Sequence, residues 1–265
     1  MRRDRVDLTV VVPVRNEESR LAGCLTGLVE VLSELALPAR LLVVDNNSTD
    51  ASAAIVQGWR SRSRRHGVPL DLARCPHTGK GAAVRTGVLA SSSTYVGFCD
   101  ADLATSLTAL APALALLDGG TNVVVGSRAH PASVVSARHS AMRQAGAWAF
   151  RRSVAPLVPG VGDTQCGFKF FDRATAHAVF GPLRTAGFAF DVEVLARATR
   201  IGARITEIPV RWCDMPGSTF SPLRDGWRSF LAVGAIGRQL AAEGRYHEAW
   251  HLAVPIPAPE PTSGG

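Results

Sequence analysis

Residues 95–102 read Tyr95-Val96-Gly97-Phe98-Cys99-Asp100-Ala101-Asp102, an apolar run followed by two aspartates one residue apart. A short apolar, β-prone run predicts a buried strand. Such a strand would carry both carboxylates to its carboxyl end, where open α/β sheets bind ligands. Neighbouring carboxylates repel each other unless a cation or hydrogen-bond donors lie between them, and their oxygens suit Mg²⁺ or Mn²⁺ on a diphosphate. For these residues taken alone, a solvated acidic loop is the alternative interpretation.

On both sides of this stretch, predicted strands alternate with predicted helices. Apolar patterning predicts strands at 8–14, 40–45, 70–74, 95–99 and 122–125, with helices at about 18–35, 50–65, 79–90 and 103–117 between them. This alternation favours a parallel, doubly wound sheet whose site is assembled from loops at the carboxyl ends of the strands. We therefore expect an α/β fold, a single Rossmann-like domain with a mostly parallel central sheet.

The pattern changes after Arg128. The remaining residues predict a basic helix over about 138–152, a helix from near Asp191, a strand over 205–212 and a last helix over about 223–243. We expect one domain over residues 1–254, made of a first half (1–128) and a second half (129–254) that adds C-terminal helices. Residues 255–265 are rich in Pro, Ser and Gly and predict a disordered tail.

The composition narrows the class of protein and of partner. With 46% hydrophobic and 19% charged residues, the chain can bury a core, and its formal charge of +7 favours anionic partners such as a phosphorylated substrate, a membrane surface or nucleic acid. Five scattered cysteines without metal-type spacing predict reduced thiols in a cytosolic protein. The first apolar run predicts a strand rather than a signal peptide. The longest apolar stretches fall short of the roughly 20 residues that cross a bilayer, so no transmembrane helix is expected.

Several polar motifs follow one another in a distinctive order. They are Val12-Pro13-Val14-Arg15-Asn16-Glu17, Val44-Asp45-Asn46-Asn47-Ser48-Thr49-Asp50, Gly79-Lys80-Gly81, Asp100-Ala101-Asp102, Gly126-Ser127-Arg128 and Asp163-Thr164-Gln165-Cys166-Gly167-Phe168-Lys169. This order resembles the family 2 inverting glycosyltransferases over about residues 8–228. Within that family the chain is similar to the polyprenyl-phosphate branch, and residues 100–105 and 163–169 look closest to its dolichyl-phosphate glucosyltransferase type.

The resemblance implies a GT-A fold and the transfer of a hexose from a UDP-glucose or GDP-mannose type donor to a polyprenyl phosphate, with Mg²⁺ or Mn²⁺ as cofactor. The first half of the chain would then bind the nucleotide sugar and the second half the acceptor. Asp100 and Asp102 are the expected catalytic and metal-binding residues, and Asp191 is a further catalytic candidate. The residues expected to bind substrate are Pro13, Val14, Glu17, Asp45, Asn46, Lys80, Asp100, Ala101, Arg128, Arg138, Arg143, Asp163, Gln165, Lys169 and Arg211.

Several of these residues also suit a purely structural role. Asp45 suits a base or ribose contact, or else an Asx turn. Glu17 suits the first turn of a helix, and Lys80 suits either a phosphate or a solvated turn. Arg138 and Arg143 suit an acceptor phosphate or a solvated helix face. The residues alone leave these alternatives open.

The acceptor determines which groups the chemistry requires. An alcohol acceptor needs a general base, whereas a polyprenyl phosphate is already anionic at pH 7 and needs positioning and partial neutralisation. Arg128 and Lys169 are candidates for that task. Asp191 stands where related enzymes with alcohol acceptors keep an acidic base. The chain departs from the branch at residues 217–219, where a loop lysine is usual, and at Asn46, where a second aspartate is frequent.

Other functions compete with this interpretation. A transferase with a soluble small-molecule or natural-product acceptor is the main alternative, and a nucleotide-sugar-binding protein without turnover is disfavoured by the intact aspartate pair. Nucleic-acid binding is not expected because the basic residues are dispersed. The expected location is cytoplasmic, with peripheral contact to an anionic membrane at the inner face of the cell membrane as one option.

Overall fold

The computed structural model of the protein describes residues 7–136, 141–214 and 224–253, apart from the side chains of 141–144, 224–228 and 244–253. Its first half runs β1 (Leu8–Val14), α1 (Glu18–Ser33), β2 (Ala39–Asp45), α2 (Ser52–Arg65), β3 (Leu70–Arg74), α3 (Lys80–Leu89), β4 (Tyr95–Cys99), α4 (Leu110–Asp118) and β5 (Val123–Ser127). Its second half runs β6 (Val134–Ser136), α5 (Ala141–Val154), β7 (Phe168–Asp172), α6 (Arg173–Phe180), α7 (Phe190–Arg200), β8 (Ile205–Pro209), β9 (Arg211–Cys213) and α8 (Arg224–Ala253).

A seven-stranded sheet, ordered β3-β2-β1-β4-β7-β5-β8, forms the centre of the molecule. Its neighbouring strands are parallel except for β7, which runs antiparallel to β4 and β5. Strands β1, β2, β4 and β5 are mostly apolar runs because helices cover both faces of the sheet. Val10 and Val12 join a core with α1, α2 and α4, whereas Val11 joins a core with α3, α6, α7 and α8. The expectation of an α/β fold with a mostly parallel central sheet is confirmed.

The inserted strand β7 was not predicted. All of Phe168, Lys169, Phe170 and Phe171 are buried, so the strand lacks the alternation that marks a half-exposed strand. Its neighbour β4 makes room at Gly97, where a Cβ atom would overlap the Phe170 ring and the Lys169 carbonyl. The second half of the chain therefore supplies central strands as well as helices.

Two predicted elements differ in the structure. The helix predicted from residue 103 was wrong over its first turns, because Leu107–Ala109 form a 3₁₀ turn and α4 begins only at Leu110. Pro112 lies in the first turn of α4, where its missing N–H costs no helical hydrogen bond. The strand predicted over 205–212 is divided into β8 and β9. β9 leaves the main sheet and pairs in parallel with β6 as a two-stranded ribbon.

The C-terminal helix α8 extends ten residues beyond the predicted end near Glu243, to Ala253. The tail predicted over 255–265, Arg138 and residues 217–219 all lie outside the described residues. Among the described helices, none combines the length and apolar character needed to cross a bilayer.

Candidate functional site

A cavity of about 90 Å³ lies at the carboxyl ends of β4 and β5. Parallel strands deliver their following loops to the same edge of a sheet, which is why residues distant in sequence meet here. The lining residues are Cys99, Asp100, Asp102, Leu103, Ala104, Thr105, Arg128, Gln165, Gly167 and Trp212. The structure therefore brings together both predicted aspartates, Arg128 and Gln165. Arg211 lies beside Trp212 on β9 and is exposed.

Asp100 is held from two sides. Its Oδ1 atom lies 2.6 Å from the Lys80 Nζ atom, and its backbone N–H donates to the Gly167 carbonyl at 3.1 Å. A Cβ atom at Gly167 would overlap the Asp100 carboxylate. The glycine is therefore what lets the carboxylate rest against the β7 segment. Although burial opposes it, the charge of Asp100 raises the pKa of Lys80, so the lysine remains an ammonium ion.

Asp102 lines the same cavity and, like Asp100, is partly buried. Its Oδ1 atom accepts a hydrogen bond from the Ala104 N–H at 3.0 Å. Burial raises the pKa of Asp102, although this hydrogen bond lowers it. The nearby charge of Asp100 raises the pKa further. Burial also raises the pKa of Glu17. Arg20, whose Nε atom lies 2.5 Å from the Glu17 carboxylate, lowers this pKa, and the charges of Asp102 and Asp100 raise it. Negative charge thus accumulates here, as a cation site requires.

The carboxylates of Asp100 and Asp102 supply only some of the ligands that a divalent ion needs. Across the described portions of the chain, no group of three or more His, Cys, Asp or Glu side chains converges in a metal-binding arrangement. Mg²⁺ is commonly held by one or two carboxylates, with substrate phosphates and water completing its coordination. Asp100 and Asp102 supply that minimal set of hard oxygen donors, so the residues fit an ion that arrives with a diphosphate.

The loop after β2 is fastened to the loop after β3 by Asn46. This side chain is 3% exposed, donates to the His77 carbonyl at 2.7 Å and accepts from the Gly79 N–H at 2.8 Å. Asp45, at the end of β2, accepts from the Ser48 N–H at 3.1 Å in an Asx-type turn. Pro13 and Val14 end the adjacent strand β1, so the predicted nucleotide-binding residues share one edge of the sheet.

The two glycines on either side of Lys80 let the start of α3 pack closely against the loop that precedes α7. A Cβ atom at Gly79 or Gly81 would overlap the Ala186 or Thr185 carbonyl in the loop before α7. The Ala186 carbonyl accepts from the Gly81 and Ala82 N–H groups, at 2.7 and 3.3 Å, which satisfies part of the α3 N-terminus. This packing carries the Lys80 ammonium to Asp100.

Arg128 is oriented by a carboxylate on the opposite loop. Asp163 accepts from the Arg128 Nε and NH2 groups at 2.6 and 2.9 Å, and from the Arg128 backbone N–H at 3.0 Å. Although burial opposes it, these bonds hold the pKa of Asp163 below its usual range. Glu207 in turn accepts from the Gly162 and Asp163 N–H groups at 3.0 and 2.9 Å. The guanidinium also lies over the Trp212 ring, 5.5 Å from its centroid.

Lys169 and Asp191 form an ion pair inside the protein. Their Nζ and Oδ1 atoms are 2.5 Å apart, and Lys169 also donates to the Cys166 carbonyl at 2.7 Å. The lysine is 0% exposed and the aspartate 2%. Lys169 therefore lies behind the cavity wall, and its predicted phosphate contact and the predicted catalytic role of Asp191 stay predictions.

The remaining predicted residues lie around the cavity or outside the described side chains. Ala101 is 5% exposed between the two aspartates. Arg143 belongs to α5, but its side chain is not described, and Arg138 is not described at all. Glu207 was missed, because a lone glutamate in a strand gives no signal that its carboxylate fastens a distant loop. Gly167 lies within the motif of residues 163–169, but the sequence gives no sign that its missing side chain makes room for the Asp100 carboxylate.

The chain has relatives among known proteins. It is 33% identical over 230 residues to a dolichyl-phosphate beta-glucosyltransferase of Dictyostelium discoideum, covering 83% of this chain and 70% of the relative. It is 32% identical over 243 residues to the Homo sapiens protein of the same name, covering 86% of this chain and 72% of the relative.

Solved structures show the same fold. Mannosyl-3-phosphoglycerate synthase from Rubrobacter xylanophilus superposes with a TM-score of 0.63 at 20% identity, covering 91% of this chain and 75% of the other. Glucosyl-3-phosphoglycerate synthase from Mycobacterium tuberculosis, solved with Mn²⁺, UDP and glucosyl-3-phosphoglycerate, gives 0.61 at 18% identity, with 87% and 78% covered. These neighbours are GT-A glycosyltransferases, so the predicted GT-A fold is confirmed. The profile of the family described as "Glycosyl transferase family 2" matches residues 9–180. The chain therefore belongs to glycosyl transferase family 2.

Proposed function

We propose that the protein transfers glucose from a nucleotide sugar to a polyprenyl phosphate, with inversion at the anomeric carbon. The observation that carries this proposal is the similarity, at 32–34% identity over more than four fifths of the chain, to relatives named dolichyl-phosphate beta-glucosyltransferase. The cavity at the end of β4, with its two aspartates and Arg128, supports it. In the reaction, the bond from the anomeric carbon to the diphosphate breaks and a bond to an acceptor phosphate oxygen forms.

The donor is proposed to lie across the ends of β1, β2 and β4. Pro13, Val14 and Glu17 would flank the nucleotide, and Asp45 would accept hydrogen bonds from its base or ribose. Asn46 would act by fixing the loop that follows Asp45, because its side-chain amide hydrogen-bonds to the His77 carbonyl and to the Gly79 N–H in the loop after β3. Lys80 would neutralise part of the diphosphate charge, because its ammonium already lies beside Asp100.

Asp100 and Asp102 are proposed to hold a divalent ion together with the diphosphate. Mn²⁺ or Mg²⁺ accompanies UDP in structures of the M. tuberculosis neighbour. When bound, such an ion offsets the negative charge that collects on the departing nucleoside diphosphate. Gly167 keeps the Asp100 carboxylate in place, and the Ala104 N–H orients that of Asp102.

The acceptor phosphate is proposed to bind at Arg128. Its Nε and NH2 groups donate to Asp163 and its guanidinium lies over the Trp212 ring, so the NH1 side of the guanidinium would be the part that meets the phosphate oxygens. Gln165 lines the same cavity, and Arg211 belongs to the adjacent ribbon strand. The acceptor is already ionised, so no base has to remove a proton. Asp191 would then have a structural role, because its ion pair with Lys169 joins α7 to β7 behind the cavity.

A soluble phosphorylated acceptor is the second candidate. It is favoured by the structural neighbours, whose names specify 3-phosphoglycerate products, and their likeness to this chain extends over at least 87% of it. The same Arg128 site would serve either acceptor, because both present a phosphate. A polyprenyl phosphate would also require the protein to work at a membrane surface, which we propose as a peripheral contact.

An acceptor comparison tests the proposal. Purified protein is given UDP-[¹⁴C]glucose, Mn²⁺, and either a polyprenyl phosphate in detergent or 3-phosphoglycerate in buffer. The expected result is radioactive glycolipid in the organic phase and no labelled phosphoglycerate product. Labelling of 3-phosphoglycerate without glycolipid would overturn the lipid acceptor and leave the donor assignment standing.

A further inference from the structure

A second cavity, which we call the ribbon groove, adjoins the reaction cavity. It has a volume of about 550 Å³ and lies between α1, the segment Leu103–Thr108 and the ribbon of β6 and β9. Cavities of about 300–1,000 Å³ are the usual size of small-ligand sites. None of the predicted donor contacts lines it. Among the predicted substrate-binding residues whose side chains the structure describes, Arg211 alone does.

The groove and the reaction cavity share a wall. Leu103, Ala104, Thr105 and Trp212 line both of them. A ligand that leaves the reaction cavity past these residues therefore enters the groove. The reaction cavity, at about 90 Å³, has room for a phosphate but not for a long substituent as well.

The lining of the groove suits a hydrocarbon. Val31 and Leu107 are partly buried against the core, and Val134 is 54% exposed. The charged lining residues, Glu30 and Arg211, are both exposed and opposite in sign, so the groove has no net attraction for an ion. The groove is also lined by uncharged hydroxyl residues, Thr105, Ser106, Thr108 and Ser136. Burial against its apolar residues is the contribution to binding that a hydrocarbon can gain there.

Leu103 stands between the two cavities in an uncommon backbone conformation. Its φ angle is +49°, in the left-handed region that non-glycine residues rarely adopt, and its N–H donates to the Asp100 carbonyl at 3.1 Å. Such backbone strain is concentrated at functional sites. Here it turns the chain directly after Asp102 and places an apolar side chain in the shared wall.

We propose that the ribbon groove binds the first isoprene units of the acceptor, while the acceptor phosphate lies at Arg128. This inference rests on the proposed polyprenyl phosphate acceptor. It adds where the hydrocarbon goes, and it identifies Leu103, Val31 and Leu107 as its contacts. The groove then selects a prenyl phosphate over a small phosphorylated metabolite, since only the prenyl chain buries apolar surface there.

Chain-length dependence tests the groove. Transfer from UDP-glucose is measured with isopentenyl, geranyl and farnesyl phosphate, which carry one, two and three isoprene units, all below their aggregation concentrations. The wild type is expected to gain about tenfold or more in kcat/KM from isopentenyl to farnesyl phosphate, because added buried methylene groups strengthen binding. Dissociation constants of the same prenyl phosphates, measured without donor, are expected to fall in the same order.

Variants that fill the groove complete the test. Val31→Trp, from α1, and Ser136→Phe, from the ribbon, are expected to remove the gain with chain length. Ala22→Phe adds a ring to an exposed position of the same helix and is expected to keep the wild-type gain. Thermal unfolding and UDP binding identify a variant that has failed to fold, and the other groove variant then decides.

The possible failures can be distinguished. Equal kcat/KM for all three prenyl phosphates, or an undiminished gain in a folded groove variant, would overturn the groove assignment while leaving the polyprenyl acceptor standing. Transfer to 3-phosphoglycerate with none to any prenyl phosphate would overturn both.

Discussion

The carboxylate of Asp100 rests against Gly167, at a point where any side chain on residue 167 would displace it. The same carboxylate is paired with Lys80, and Asp100 and Gly167 are also joined by a backbone hydrogen bond. The position of this aspartate therefore depends both on Lys80 and on the residue that leads into β7, the strand that runs antiparallel between β4 and β5.

Gly167→Ala is expected to lower kcat/KM for sugar transfer by about 100-fold, because a displacement near 1 Å at a reacting group has an effect of that order. The Asp100 side chain can swing away, so the fold should remain. Steady-state rates and thermal unfolding of the same preparation check this. Gly58→Ala is the matched control, since a Cβ atom there meets nothing within 4 Å. Wild-type kinetics for Gly167→Ala would show that Asp100 does not need this position.

Because Lys169 and Asp191 form a buried ion pair, we expect the effects of their substitutions on the free energy of unfolding to be strongly coupled. Lys169→Met or Asp191→Asn should each lower the free energy of unfolding by about 3–5 kcal/mol, because each leaves a buried charge without its partner. The double variant should lose clearly less than the sum of the two. Urea unfolding of all four proteins measures this cycle. Additive losses would mean that the two side chains do not interact.

The ion pair of Asp163 with Arg128 is expected to make the free energy of unfolding depend on pH. Hydrogen bonds from Arg128 lower the folded-state pKa of Asp163 below the unfolded value of about 3.9. Its contribution to stability is therefore complete above that value and is lost as the pH falls through the folded pKa. The difference in unfolding free energy between wild type and Asp163→Asn should be constant from pH 5 to 7 and shrink below pH 4. A difference that does not change with pH would contradict the ion pair.

Asn46→Asp is expected to destabilise the protein by about 1–3 kcal/mol, because a buried polar group would lose its partner. The Asn46 amide donates to the His77 carbonyl at 2.7 Å, and a carboxylate oxygen there would face another acceptor. The variant would place the frequent family residue at this position. Chemical denaturation measures the effect, and an equal or higher stability would show that the loop rearranges to accept a carboxylate.

Strands β1, β2, β4 and β5 could be predicted because each is a mostly apolar run, whereas β3, which contains Asp71 and Arg74, gives a weaker signal. Strands β1, β3 and β4 begin and end where the sequence indicated. The aspartates of residues 100 and 102 follow directly from the end of β4. The insertion of β7 could not be predicted, since it depends on pairing between segments some 70 residues apart, and its residues are buried on both faces.

The site was predicted less completely than the fold. Lys80, Arg128 and Asp163 were predicted to bind substrate, but the sequence does not reveal which carboxylate pairs with which cation. Lys169 is the clearest example: its phosphate contact stays a prediction, and nothing in the sequence indicated that its ammonium pairs with Asp191 inside the protein. Leu103 was predicted as helical, since apolar periodicity carries no sign of a left-handed turn.

Transfer of labelled glucose from UDP-glucose to a polyprenyl phosphate, compared between the wild type and Asp102→Asn, tests the proposed role of the aspartate pair. We expect the wild type to form a β-linked glucosyl lipid in a divalent-ion-dependent reaction, and the variant to lose at least about 100-fold in rate while its thermal unfolding stays the same. An equal rate for the two proteins, or an α-linked product, would contradict it.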